Sequence, residues 1–232
     1  PVISEDDIKI AQLESDYEYQ YRIGLGERYG KLLQSMSGIH YNFELGKDLT
    51  QQLFELSEET DFVAFKNTLY LKLAQNFLNY RWLLTYLYGA SSLAEKGFLS
   101  EEVGCVRSIR NSKHGYVNAE DVHISFSSLE QYVADIEQAV QSGQLSAEKE
   151  FYSSVRLRGA KTSRDFLSKG ISYLEFRTFD LNPYDPFAIS QETLDTVHLF
   201  LLALLWLDQL ADVDNALTKA DNLLFFLWAK SF

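Results

Sequence analysis

The sequence predicts an α+β fold, a mainly antiparallel sheet with helices packed around it. Two observations point there. Apolar and polar residues alternate along two widely separated stretches, Ser37 to Phe43 and Tyr173 to Phe179, while the segments around them repeat apolar residues every three or four positions over varied lengths. A composition of 46% hydrophobic and 14% aromatic residues across 232 positions is ample for a buried core.

In chain order, Ser4 followed by Asp7 resembles a helix N-cap, and Ile8, Ile10, Leu13 and Tyr17 continue at helical spacing, which predicts a helix over 5–20. Gly24, Gly26 and Gly30 are expected to loosen the backbone, with a further helical turn over 31–36. In the first strand Ile39, Tyr41, Phe43 and Leu45 face a core, while His40 and Asn42 project the other way. Leu49, Leu53, Phe54 and Leu56 predict a short amphipathic helix within 46–60. Residues 62–87 hold no Pro or Gly and run into Gly89, which reads as one long helix whose aromatic stripe (Phe62, Phe65, Tyr70, Phe77, Tyr80 and Tyr86) belongs to the core.

Residues 91–104 read as loop, and 106–110 and 122–126 as short strands around a turn-rich insert, with Arg110 and His123 in or beside them. Leu129, Tyr132, Ile136 and Val140 stripe a helix over 128–142. A strand over 151–157 and a compact helix over 163–169, ended by Gly170, lead into the second diagnostic strand. There Glu175 and Arg177 share a face, about 7 Å apart along the strand. Pro183 and Pro186 stop it, Ser190 caps an apolar helix running to about Asp212, and a helical tail follows from Asp214. No internal repeat or linker marks a domain boundary.

A net charge of −12 argues against a protein that coats nucleic acid or an anionic membrane, since both ask for clustered Lys and Arg. The longest apolar run, Val197 to Leu207, is shorter than the ~20 residues of a membrane span and reads as a core helix. Cys105 is the lone cysteine, which fits a reducing cytoplasm and reads as a small buried apolar residue. The chain opens Pro1-Val2 without methionine, from which an upstream segment is expected. There is no GxxxxGK[ST] loop, Gly24-Leu25-Gly26 lacks the third glycine of a dinucleotide fingerprint, and no Ser, His, Asp triad is suggested.

Chemistry is concentrated on the two strands. His40 alone reads as a satisfied polar residue, but paired with Glu175 it suits a divalent cation, which carboxylate and phosphate oxygens usually hold and imidazole can join. Arg177 reads either as the ion-pair partner of Glu175 or as an anion holder, and Asp180-Leu181-Asn182-Pro183 as a strand-ending turn. Arg22, Arg110, Arg156 and Arg158 recur near Tyr21, Tyr116 and Tyr152. Guanidinium groups converging on one pocket would grip carboxylates and phosphates bidentately.

Four blocks carry a resemblance: Tyr21-Arg22-Ile23-Gly24-Leu25 with Arg28-Tyr29-Gly30; Ser37 to Phe43; Ser108-Ile109-Arg110-Asn111 through Gly115-Tyr116; and Tyr173 to Pro183 with Asp185-Pro186. In order and spacing, over about residues 15–210, they resemble bacterial glutamate-cysteine ligases, and most the ligase half of the bifunctional glutathione biosynthesis proteins of Gram-positive bacteria. The resemblance implies a glutamine-synthetase-like sheet. It also implies an ATP-dependent ligation of the glutamate γ-carboxylate to the amine of cysteine through γ-glutamyl phosphate, with magnesium or manganese, in the cytoplasm. On this resemblance His40 and Glu175 bind metal, and Arg22 and Arg177 hold the transferred phosphoryl group. Tyr21, Leu25, Arg110, Tyr116 and Tyr152 line the amino-acid pocket, with Arg156 a basic neighbour.

The family pattern further implies that 1–232 is the C-terminal part of a catalytic domain. The remaining metal-binding carboxylates would precede Pro1, so the chain by itself is expected to be inactive. It leaves room for a homodimer and for a covalently linked ATP-grasp domain in the parent protein, and the tail from about Asn222 does not match. Two other readings stand beside it: a different carboxylate-amine ligase on the same fold, and a noncatalytic scaffold or interface fragment of a larger ligase.

Overall fold

A computed structural model describes residues 5–99, 104 and 106–229, with side chains through 224. Ser4 and Cys105 lie outside the described residues. The expected first helix is displaced. After a 3-10 turn at Glu5–Asp7, helix α1 spans Asp16–Tyr29, capped by Ser15, whose Oγ accepts from the Glu18 amide at 3.4 Å. Gly24 and Gly26 sit inside it, so the roughly 1 kcal/mol cost of a helical glycine is outweighed, and Gly30 at φ 84° ends the helix. Helix α2 is the single turn Lys31–Gln34.

Strands β1 (Ile39–Phe43), β2 (Val155–Arg158) and β3 (Tyr173–Phe179) form one sheet in the order β1-β3-β2, antiparallel throughout. The alternation read from sequence holds. Phe43, Val155, Leu157, Leu174 and Phe176 are buried on one face, with Ile39 and Tyr41 packed against them, and His40, Asn42, Arg156, Arg158, Glu175 and Arg177 occupy the other. The register holds one irregularity: Tyr41 lies opposite Phe176, yet Ile39 lies opposite Phe179, so β3 carries one extra residue there. This bulge sets the Arg177–Thr178 stretch across from His40.

Helices α3 (Lys47–Glu55), α6 (Asp165–Lys169), α7 (Gln191–Trp206) and α8 (Val213–Ala229) pack on the long helix α4 (Phe62–Tyr88), whose N-cap is Asp61, and α5 (Leu129–Gln141) packs on α6. The aromatic stripe of α4 is core only in its middle. Tyr70 and Phe77 are buried, and Phe77 meets Phe176 at 4.3 Å between ring centroids, whereas Phe62, Tyr80 and Tyr86 are exposed. A helix of 27 residues is about 40 Å long, which outruns the core beneath it.

Buried polar side chains of α4 replace sheet pairing elsewhere. Gln75 donates to the Phe126 carbonyl, and the Ser125 amide donates to Asp135, so 122–126 is irregular instead of a strand. Residues 106–110 make only one bridge, Ser91 with Ser108. The strand expected over 151–157 begins at Val155, because both backbone groups of Tyr152 are taken by the Asn118 carboxamide. Helix α7 stops at Trp206 and not near Asp212: Asn76 and Lys72 donate to the Leu204 and Leu205 carbonyls, satisfying its last turn. Among the described residues no helix is long and apolar enough to cross a membrane.

Candidate active site

The polar face of the sheet forms the floor of a cavity of about 540 Å³. Helix α1 makes one wall, presenting Glu18, Tyr21, Arg22 and Leu25, which fall on one helical face at the i, i+3, i+4, i+7 spacing. The wall is tied down by polar contacts. Buried Glu150 accepts from Arg28 Nη1 and Tyr29 Oη, both at 2.8 Å, and from the Ser146 amide, while Lys149 pairs with Glu18 and lies 4.2 Å from the Tyr21 ring centroid. From Tyr29 at the end of α1 a chain of contacts runs edge-to-face through Tyr116 to Tyr152, with centroid distances of 5.0 and 5.4 Å, and on to the Arg177 guanidinium 5.2 Å from Tyr152.

Of the ten residues given roles by the resemblance, nine line this one cavity: Tyr21, Arg22, Leu25, His40, Arg110, Tyr116, Tyr152, Arg156 and Arg177. The tenth, Glu175, is buried in the floor beside them. It is opposite Asn42 on one side and Arg156 on the other, and Arg158 grips it bidentately, Nε and Nη2 to Oε2 at 3.1 and 2.9 Å and Nη2 to Oε1 at 3.0 Å. Arg177 Nε is 3.5 Å from Glu175 Oε1 and donates to His40 Nε2 at 3.3 Å. The imidazole proton therefore sits on Nδ1, 3.7 Å from Glu175 Oε1. Arg177 is thus an ion-pair partner of Glu175, yet its Nη1 is buried with no acceptor.

The cavity is a basic patch in an acidic protein. Arg22, Arg110, Lys149, Arg156 and Arg177 line it against Glu18 and Glu150. Burial, then repulsion from Arg177 and Arg158, brings the Arg156 pKa down to about 10, and burial likewise lowers Arg177. His40 is held below its ordinary value by burial first and by Arg177 second. Burial raises Tyr21 and Tyr116, so both phenols stay protonated hydrogen-bond donors. Crowded, partly desolvated guanidinium groups with one unpartnered nitrogen favour a multiply charged anion.

Sequence reasoning left several contributors without a role. Arg158 was only one arginine among four until the sheet register set it diagonal to Glu175. Gly38 leaves the space in which the Arg110 guanidinium lies, since a Cβ there would come within 2.4 Å of its Cζ and Nε. Glu150 and Asn118 act across long sequence separations and have no local signature. Among the described residues no three His, Cys, Asp or Glu side chains are placed to hold a metal ion. His40 and Glu175 are only two ligand-type side chains, and each is already engaged by arginine.

The family model for glutamate-cysteine ligase matches residues 1–144 and 142–222. The glutathione biosynthesis bifunctional protein of Streptococcus mutans is 64% identical over 224 residues, covering 96% of this chain and 30% of the relative. A crystal structure of a bifunctional glutathione synthetase from Pasteurella multocida superposes with a TM-score of 0.86 at 46% identity, over 94% of this chain and 30% of that one. A glutamate-cysteine ligase from Francisella tularensis, crystallised with AMP, gives 0.85 at 26% identity, over 97% of this chain and 53% of its own. The chain thus spans about a third of the length of the bifunctional relatives it matches.

Proposed function

Because this chain belongs to the glutamate-cysteine ligase family, we propose that its cavity serves the ATP-dependent joining of the glutamate γ-carboxylate to the amine of cysteine, the first step of glutathione synthesis. The observation that carries this reading is the convergence of Arg22, His40, Arg110, Arg156 and Arg177 on one basic cavity floored by Glu175. The reaction joins two anionic groups first and then an unprotonated amine to the resulting acyl phosphate, with release of a proton. A γ-carboxylate oxygen attacks the terminal phosphorus of ATP with loss of ADP, then the cysteine nitrogen attacks the acyl carbon and phosphate leaves.

In this reading Arg177 on the floor and Arg22 on the facing helix hold the transferred phosphoryl oxygens. Arg110 meets the cysteine carboxylate, Tyr152 and Tyr116 flank it, and Tyr21 and Leu25 close the pocket from α1. Arg156 adds positive charge from beneath. His40 and Glu175 give two donors to a magnesium or manganese ion whose other ligands lie beyond the described residues; such an ion would screen phosphate charge. The bifunctional relatives fit a covalently linked second catalytic domain in the parent protein, and a cytoplasmic location fits the same reading.

The test is phosphate release from ATP by the full-length protein that carries this chain. Release should require glutamate and cysteine together, and Arg177→Lys should reduce it at least about a hundredfold. Release that ignores cysteine, or a variant as active as the parent, would overturn the assignment. The scaffold reading gives no reason for Arg22, Arg110, Lys149, Arg156 and Arg177 to converge on one cavity in an acidic protein.

A further inference from the structure

Asp180 ends the last strand, is 6% exposed, and does not line the cavity. Its carboxylate nevertheless collects five donors, all neutral. Oδ2 accepts from the Ala90 amide at 2.9 Å, the Ser91 amide at 3.0 Å and Ser91 Oγ at 2.9 Å, while Oδ1 accepts from Ser108 Oγ at 2.9 Å and Asn111 Nδ2 at 3.3 Å. These donors belong to the exit of α4 and to the loop that follows the Ser91–Ser108 bridge.

Arg110 sits in the middle of that grip. Its own amide donates to Ser91 Oγ, the Ile109 amide donates to the Ser91 carbonyl at 2.7 Å, and Asn111 donates through its backbone and side chain to Ser108 Oγ and through its side chain to the Thr178 carbonyl. With its backbone fixed on both sides, Arg110 extends over Gly38, donates from Nη1 to the Arg177 carbonyl at 2.5 Å, and reaches the cavity. The loop is neither helix nor strand here, so the direction of the Arg110 Cα–Cβ bond is set by the hydrogen bonds gathered at Asp180 together with the turn in which the Ser112 amide and hydroxyl donate to the Ile109 carbonyl.

We propose that Asp180 is a positioning residue for Arg110, acting through Ser91, Ser108 and Asn111 to set the guanidinium that reads the carboxylate of the incoming amino acid. This rests on the reading of Arg110 as the cysteine-carboxylate contact. A carboxylate is the side chain that suits the position, since all five neighbours donate and a carboxamide would turn an N–H toward at least one of them.

The test uses the full-length protein with Asp180→Asn and, as a milder second change, Ser108→Ala, which removes the hydroxyl linking Asp180 to Asn111 while nearly preserving volume. L-cysteine is the probe, read by steady-state kinetics and titration calorimetry alongside KM for ATP and glutamate. Both variants should raise the cysteine KM and dissociation constant about tenfold, leaving the other two KM values within about twofold and kcat at saturating cysteine within about threefold. A fall in kcat or in melting temperature with the cysteine constants unchanged would show a purely structural carboxylate and end the proposal. Arg110→Lys run in parallel separates the two ideas. If it weakens cysteine binding while Asp180→Asn does not, only the positioning role fails. If it leaves cysteine binding intact, the assignment of Arg110 fails and the positioning role with it.

Discussion

Replacing Glu175 with glutamine asks how much of the site depends on one buried charge. The side chain keeps its shape but no longer balances Arg158, which holds it through three contacts of 2.9–3.1 Å, or Arg177 at 3.5 Å. The Glu175 side chain is only 10% exposed, so its removal leaves guanidinium charge without an acid in a poorly solvated floor. Breaking a buried pair costs about 3–5 kcal/mol, and the low end applies because the Arg158 side chain is 37% exposed and can recruit water. A loss of about 3 kcal/mol in a chain of this size lowers the melting temperature by about 6–12 °C. In the full-length protein that carries this chain, phosphate release with glutamate and cysteine should fall at least about a hundredfold below the parent rate, measured at a temperature where the variant is still folded by circular dichroism. A variant that melts within about 2 °C of the parent would refute the electrostatic argument, and one that turns over normally would remove Glu175 from the chemistry.

Two further predictions probe neighbouring groups. Gly38→Ala places a methyl on the Arg110 guanidinium, the movable end of a long side chain; thermal stability should change little while the calorimetric dissociation constant for cysteine rises about tenfold, and unchanged binding would refute the contact. His40 is disfavoured as a cation by burial and Arg177, so its folded pKa lies below the unfolded value of about 6.5. The unfolded chain then takes up the proton first as pH falls, so stability attributable to His40 is intact above about pH 6.5 and declines below it toward the lowered folded value. Melting curves of the parent and of His40→Gln should run parallel above that pH and converge below it, and a gap independent of pH would contradict the assignment.

The sheet was legible because period-two alternation survives tertiary context: His40 and Asn42 leave the core as Phe43 enters it, and Glu175 and Arg177 do the same around Phe176. Three of the four resemblance blocks hold cavity residues on α1, β1 and β3, while Arg110 and Tyr116 reach it from an irregular loop that no periodicity marks. Three things were hidden. Glycine content concealed α1, whose helical path alone brings Tyr21, Arg22 and Leu25 to one side. The bulge in β3 cannot be read from alternation on either strand, because it exists only in their pairing. Asp180 reads from sequence only as part of a turn and Glu150 carries no reading at all, as nothing local announces donors up to 122 residues away.

The wall formed by α1 differs in kind from the floor it covers. Gly26 is the only residue of that helix fully withdrawn from water, and its attachment runs through the Glu150 carboxylate and the Lys149 ammonium. Cohesion of this type weakens with added salt and gives back little apolar area on separation. Amide protons of α1 should accordingly exchange with deuterated solvent well before those of β3, and faster still at high ionic strength. The cavity would then have a rigid bed and one wall whose hold on it is set by ionic strength.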